Sequence, residues 1–271
     1  MTRPIVVKLG GDALKEPGTE RELARDVSGL GMPVVLVHGG GGEVTAWCER
    51  LGLDARFEDG LRVTGGETLD VVAAVLAGLV NQRMVARLRE AGLDAVGVSA
   101  VSGGLAVLAP HPDAERLGAV GTVTAVRPSL LHALLDAGFV PVVSSLGARE
   151  GALLNVNADE LAGALAGALS ARALLMLTDV PGVSLGSARV SRLAVAEVSH
   201  LLASPQSRIR GGMIPKLAAA SHAVRQGCAR TVIGSWSGPG TLDRLLGANP
   251  DATSILPDDA FPMTPVGGPA S

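Results

Sequence analysis

The chain has 271 residues, 47% of them hydrophobic and 18% charged, with a formal net charge of −3. That is enough length for one large or two modest domains with a buried core, and the charge excludes the basic field of a nucleic-acid-binding surface. Gly, Ser or a charge interrupts every apolar stretch before it reaches membrane-spanning length, so no membrane partner is expected.

"IVVKL" (5–9), "PVVLV" (33–37), "DAVGVSA" (94–100), "VPVVSS" (140–145), "ALLMLTD" (173–179) and "ARTVIG" (229–234) are short, mostly continuous apolar runs. Continuous runs suit strands covered on both faces. Helix-length amphipathic segments lie between them, at 19–30, 67–91, 128–137, 158–170 and 211–227. Strands alternating with helices predict a doubly wound α/β fold with a mainly parallel open sheet. Three stretches break the alternation and predict antiparallel flaps: 55–63, which holds Asp59-Gly60, then 103–126 and 145–160. The end of the chain, 258–271, is rich in Pro and Gly and is expected to be a disordered tail. The start, "MTRPIVVKLGG", lacks the apolar core of a signal peptide. Cys48 and Cys228 read as reduced thiols, and a cytoplasmic location is expected.

The strand ends carry the chemistry. In open α/β sheets, ligands sit beyond the carboxyl ends of the strands. Lys8 stands near such an end, with Gly10 and Gly11 behind it. Bare backbone N–H groups beside a lysine suit a phosphate. "VHGGGGEV" (37–44) repeats the pattern with four glycines between a strand and a helical stretch. Arg62, on the flap "GLRVTGG", has the planar fork that grips a carboxylate. Asn155 and Asn157 in "NVNADE" share a face if extended, and two amides suit a carboxylate and an amide of one small ligand. Asp159 follows, where an N-cap is the plain structural use. "TDVPGV" (178–183) and "RIRGGMIPK" (208–216) add a Pro-Gly turn, a glycine pair and a second lysine, Lys216. His38 reads as a structural residue closing the second strand.

Taken in order, "KLGG", "VHGGG", "GLRVT", "NVNAD", "TDVPGV" and "GGMIPK" resemble the amino acid kinase family, and "GLRVT" and "NVNAD" its acetylglutamate branch. The resemblance implies ATP-dependent phosphorylation of the γ-carboxylate of N-acetyl-L-glutamate, with Mg²⁺ held mainly by the nucleotide. It implies that Lys8 and Lys216 stabilise the transferring phosphoryl group and that Asp159 orients both. Gly39, Gly40, Gly41, Arg62, Asn155 and Asn157 would hold the acceptor. Gly10 and Gly11 would meet the phosphates. Thr178, Asp179, Val180, Pro181, Gly182, Val183 and Ser184, with Arg208, Ile209, Arg210 and Met213, would border the nucleotide. No protein metal ligand is expected. Residues 1–170 would form the acceptor-binding and dimerisation lobe, and 171–257 the nucleotide lobe.

Two alternatives share the scaffold: a kinase for carrier-linked aminoadipate or glutamate, and a non-catalytic nucleotide-binding sensor. The net charge of −3 shows no excess of basic groups for an acidic carrier, and both lysines argue against a sensor. Asp12, beside the proposed phosphates, Gly42 and the region 103–126 depart from the family pattern. The chain begins on its first strand, where arginine-inhibited members carry an extra helix; a homodimer without that feedback is expected.

Overall fold

The computed structural model describes residues 2–10, 18–186, 188–204, 207, 209–248 and 250–261. Gly11, Asp12, Arg208 and residues 262–271 lie outside the described residues.

In chain order, the first half contains β1 (Ile5–Leu9), α1 (Thr19–Gly29), β2 (Val34–His38), α2 (Gly41–Arg50), and the hairpin of β3 (Phe57–Glu58) and β4 (Leu61–Arg62). Next, α3 (Gly66–Val72) runs through a π-helical stretch, Ala73–Val80, into α4 (Asn81–Glu90). There follow β5 (Ala95–Ser99), β6 (Ala106–Pro110), α5 (Ala114–Leu117), β7 (Val120–Val126), α6 (Ser129–Asp136) and β8 (Val140–Ser144). The second half contains β9 (Leu146–Arg149), β10 (Ala152–Val156), α7 (Ala158–Ala168) and β11 (Ala173–Thr178). A second small hairpin, β12 (Ser184–Leu185) and β13 (Ala188–Arg189), leads to β14 (Arg192–Ala194), α8 (Val195–Ala203) and α9 (Met213–Arg225). β15 (Thr231–Ser235), α10 (Thr241–Leu246) and β16 (Thr253–Leu256) complete the main elements.

The main sheet has eight strands in the order β14-β16-β15-β11-β1-β2-β8-β5. The run from β15 to β5 is parallel throughout, and its strands are the six apolar runs of the sequence. β16 joins antiparallel beside β15, and β14 pairs parallel with β16. The flap at 55–63 is the separate hairpin β3-β4, and the other two form a second sheet, β6-β7-β10-β9, antiparallel except where β10 pairs parallel with β7. Their turns use left-handed residues as the hairpins require: Asp59-Gly60 at φ 49° and 81°, and Glu150-Gly151 at φ 51° and 84°. The first residues of the expected disordered tail are structured. Asp258–Ala260 form a 3₁₀ turn, and the Asp258 carboxylate accepts the Ala196 N–H at 2.8 Å.

Strand alternation divides the core between the sheet's two faces. Ile5, Val7 and Leu9 pack with Leu23 of α1, Leu88 of α4 and Leu242 of α10. Val6 packs on the other face with Leu161 and Leu165 of α7 and Leu217 of α9. Lys8 shares that second parity, so its side chain leaves β1 on the α7 face. α7 and α9 approach closely through small residues. A Cβ on Gly163 would stand 2.6 Å from the Ala219 carbonyl oxygen, and one on Gly167 2.5 Å from Gln226 Cβ. This contact aligns the first turns of the two helices. The unbroken helix Gly66–Glu90 has the length and hydropathy of a membrane span, yet Val71, Val72, Val75, Leu76 and Leu88 are buried inside the fold.

Gly163→Ala should force α7 and α9 apart and cost about 1–3 kcal/mol, read from the denaturant midpoint. Gly42→Ala, with nothing within 4 Å of the added carbon, should cost nothing. A Gly163→Ala protein that unfolds with wild type would refute the close helix contact.

Candidate active site

Lys8 and Lys216 come from distant parts of the chain and meet at one carboxylate. Lys8 Nζ lies 2.7 Å from Asp159 Oδ1, with the two side chains 8% and 7% exposed. Lys216 Nζ lies 2.9 Å from Asp159 Oδ2. The local sequence explains the arrangement. Asn157, not Asp159, caps α7: its Oδ1 accepts the N–H groups of Asp159 (2.8 Å) and Glu160 (3.1 Å). Asp159 thus sits in the first turn with its side chain free for the lysines, and the helix N-terminus also favours its negative charge.

Burial works against the charges of Asp159 and Lys8. It would raise the Asp159 pKa, but the ammonium groups of Lys8 and Lys216 outweigh it and hold the carboxyl below its ordinary value. Burial pushes the Lys8 pKa down; Asp159 opposes this, and the nearby Lys216 adds to it. Two cations share one anion, so the cluster is a positive site held together by a single carboxylate.

Beside it opens a cavity of about 210 Å³, lined by Lys8, Gly39–Gly41, Arg62, Asn155, Asn157 and Asp159, with apolar walls from Val44, Phe57, Val72 and Leu76. Arg62 is 7% exposed. Its Nη2 donates to the Gly41 carbonyl (2.8 Å) and to Thr45 Oγ1 (2.7 Å), and its guanidinium lies 4.5 Å from the centre of the Phe57 ring. Its Nη1 is buried with no partner. The Asn155 amide donates to Thr64 Oγ1 at 3.1 Å, while Thr64 Oγ1 donates to the Arg62 carbonyl at 2.9 Å. Both amides line the cavity, and these contacts use the Asn155 NH₂ and the Asn157 oxygen, leaving one acceptor on Asn155 and one donor on Asn157. Sequence reasoning missed Thr45, Thr64 and Phe57. Thr64 stood inside "GLRVT", but nothing in the linear sequence shows that it reaches Asn155.

The other expected positions divide. Gly10 donates its N–H to the Leu177 carbonyl at 3.0 Å, and a Cβ there would stand 2.6 Å from that oxygen, so close strand approach alone requires glycine. Thr178 ends β11, and its hydroxyl donates to Asp179 at 2.8 Å, holding that carboxyl below its ordinary value. Pro181, Ser184 and Arg210 are exposed, and Val180 and Met213 are partly so. Gly182 is buried, and a Cβ there would meet Thr253 Oγ1 at 2.7 Å. Val183 and Ile209 bury their side chains in the core. Val183 also engages its N–H with Thr253 Oγ1 and its carbonyl with the Val190 N–H, so it serves the fold. A larger cavity, about 540 Å³, shares Leu61, Val120 and Asn157 with the first but contains neither lysine.

Asp159→Asn would leave two buried ammonium groups without their anion, costing about 3–5 kcal/mol at neutral pH. Because folding lowers the Asp159 pKa, its contribution is complete above the ordinary carboxylate range and is lost as pH falls through the lowered folded value. Chemical denaturation from about pH 7 to about pH 2 should therefore show the gap between variant and wild type closing. A constant gap would contradict the ion-pair account.

The family model for the amino acid kinase family matches residues 3–235. The acetylglutamate kinase of Methanopyrus kandleri is 47% identical over 253 residues, covering 88% of this chain and 99% of that protein. The acetylglutamate kinase of Chloroflexus aurantiacus is 42% identical over 241 residues, covering 88% and 94%. Among solved structures, the N-acetylglutamate synthase of Neisseria gonorrhoeae, complexed with coenzyme A and N-acetyl-glutamate, superposes with a TM-score of 0.78 at 26% identity, covering 94% of this chain and 60% of that one. The chain belongs to the amino acid kinase family.

Proposed function

We propose that the chain is an acetylglutamate kinase, moving the γ-phosphoryl group of ATP to the γ-carboxylate of N-acetyl-L-glutamate in arginine biosynthesis. The observation that carries this reading is the Lys8–Asp159–Lys216 cluster at the edge of a small cavity that holds a buried, half-paired Arg62. The relatives named acetylglutamate kinase agree with it.

Phosphoryl transfer needs positioning and charge neutralisation more than covalent help. The attacking carboxylate is ionised at neutral pH, so no general base is required. Lys8 and Lys216 match the charge that develops on the phosphoryl oxygens, and Asp159 keeps both pointed at it. Arg62 Nη1 grips a carboxylate of the acceptor. Asn155 and Asn157 offer the acceptor and donor that complement an acetamido group, and the wall of Val72 and Leu76 receives its methyl. The open N-terminus of α2 behind Gly39–Gly41 favours the acceptor's negative charge.

The nucleotide lies along Gly10, Thr178–Gly182, Ser184, Arg210 and Met213, with Val183 behind them in the core. Residues 1–170 serve the acceptor and 171–257 the nucleotide. Among the described residues no group of three or more His, Cys, Asp or Glu converges to hold a metal, so Mg²⁺ is proposed to arrive on the nucleotide's own oxygens. The assembly that goes with this reading is a cytoplasmic homodimer.

A hydroxylamine trap should detect an acyl phosphate that depends on both Mg·ATP and N-acetyl-L-glutamate. Turnover only with a carrier-linked acceptor would replace the reading; ATP binding with no turnover at all would make the chain a sensor. Lys8→Ala or Lys216→Ala should lower kcat by about 10²-fold or more. Arg62→Ala should chiefly raise the acceptor KM, by roughly 10–100-fold, as loss of a hydrogen bond to a charged group predicts.

A further inference from the structure

A buried polar pair lies behind the glycine loop and takes no part in the chemistry above. His38 ends β2 and is 2% exposed; Asn81 opens α4 and is 1% exposed. His38 Nδ1 lies 2.7 Å from the Gly39 carbonyl oxygen. A carbonyl only accepts, so the ring proton is assigned to Nδ1. Nε2 then carries the lone pair, and Asn81 Nδ2 stands 2.9 Å from it. The same NH₂ group donates to the Val142 carbonyl at 2.9 Å. One tautomer of a neutral ring satisfies all three contacts. A proton on Nε2 would set two donors face to face.

The Val142 carbonyl fixes the amide orientation, because only the NH₂ end can donate to it. A Cβ on Gly97 would stand 2.1 Å from Asn81 Oδ1, so β5 leaves room for this amide only because residue 97 is glycine. The same helix also touches the loop directly. A Cβ on Gly40 would meet Leu76 Cδ2 at 2.7 Å and Val80 Cγ2 at 3.4 Å. Leu76 and Val80 belong to the π-helical stretch that ends just before Asn81. Such stretches are uncommon, and their wider turn lets residues four and five apart flank one line. Here that line faces the loop.

We propose that Asn81 and His38 are positioning residues for the acceptor site: the Asn81 amide locks the His38 tautomer that grips the Gly39 carbonyl, and this sets Gly39–Gly41 against the substrate. The inference rests on the acceptor-site reading above. The three carbonyl and ring contacts give the loop a rigid back, while Arg62 holds its front through the Gly41 carbonyl.

The test pairs kinetics with ring-nitrogen NMR on wild type, Asn81→Ala and Asn81→Asp. In wild type the His38 spectrum should show the neutral Nδ1–H form, and the acceptor KM should be flat from about pH 6 to about pH 9. Burial and the Gly39 carbonyl are the influences on this ring, and no charged side chain among the described residues acts on it. Asn81→Ala should raise the acceptor KM roughly tenfold while the ATP KM stays within about twofold, the size of one lost hydrogen bond.

Asn81→Asp keeps the shape but presents only acceptors to Nε2, and it also sets a carboxylate oxygen against the Val142 carbonyl at every pH. At low pH the imidazolium serves the new carboxylate and Gly39 together, and the acceptor KM is at its lowest for this variant. At high pH the remaining proton moves to Nε2, Gly39 is released, and the KM rises. An Nε2–H form in wild type would overturn the proposal, as would equal changes in both KM values or loss of stability with neither KM changed. Absence of acetylglutamate turnover in wild type would instead remove the acceptor reading, and the ring spectrum would still decide whether Asn81 locks the tautomer.

Discussion

Two ammonium groups held on one buried carboxylate set the terms for the rest of the structure. Such a cluster is costly in a protein interior unless geometry and hydrogen bonding compensate. Here the compensation is architectural. Asp159 gains the helix N-terminus of α7, while Asn157 satisfies the first N–H groups of that helix and so keeps the Asp159 side chain for the lysines. Strand parity turns Lys8 toward α7, and the small-residue contact between α7 and α9 brings in Lys216. A change in any of these would leave a buried charge without its partner.

The parallel core was legible because its strands are covered on both faces. "IVVKL", "ALLMLTD" and most of the other apolar runs are continuous, and each run becomes a strand of the parallel set, five inside the sheet and "DAVGVSA" at its edge as β5. The edge was less legible. "TSIL" is short, half hydroxylic and set between Asp and Pro; it becomes β16 only because β15 offers an open edge beside it. β14 depends in turn on β16. Local sequence cannot announce a strand whose main reason is its neighbour.

The site was legible to a different depth. Glycines and lysines at strand ends marked the places where charge and bare backbone meet. The sequence could not say which groups would already be occupied by the fold. Asp159 looked like a cap, yet Asn157 takes that role and thereby gives up its oxygen. Gly10 looked like a phosphate glycine, yet the Leu177 carbonyl excludes a side chain there in any case. Val183 stood within a motif, yet it is a core residue with its backbone engaged. Motif letters record that a position is constrained. They do not separate constraint by ligand from constraint by packing.

The charge balance ties the site to the whole molecule. The chain carries a net −3, but Lys8 and Lys216 meet on a single Asp159, and Arg62 lines the same cavity as Lys8 and Asp159. A surplus of buried positive charge is unfavourable while the cleft is empty and becomes favourable when anions enter, because low dielectric strengthens both the repulsion and the attraction. Each anionic substrate therefore lowers the electrostatic cost of the groups that bind it. In the proposed reading an acceptor carboxylate at Arg62 and phosphates at the lysines repel each other, and the same cations that bind them offset that repulsion. The fold holds its cations short of neutrality, and that deficit is what a site bringing two anions together requires.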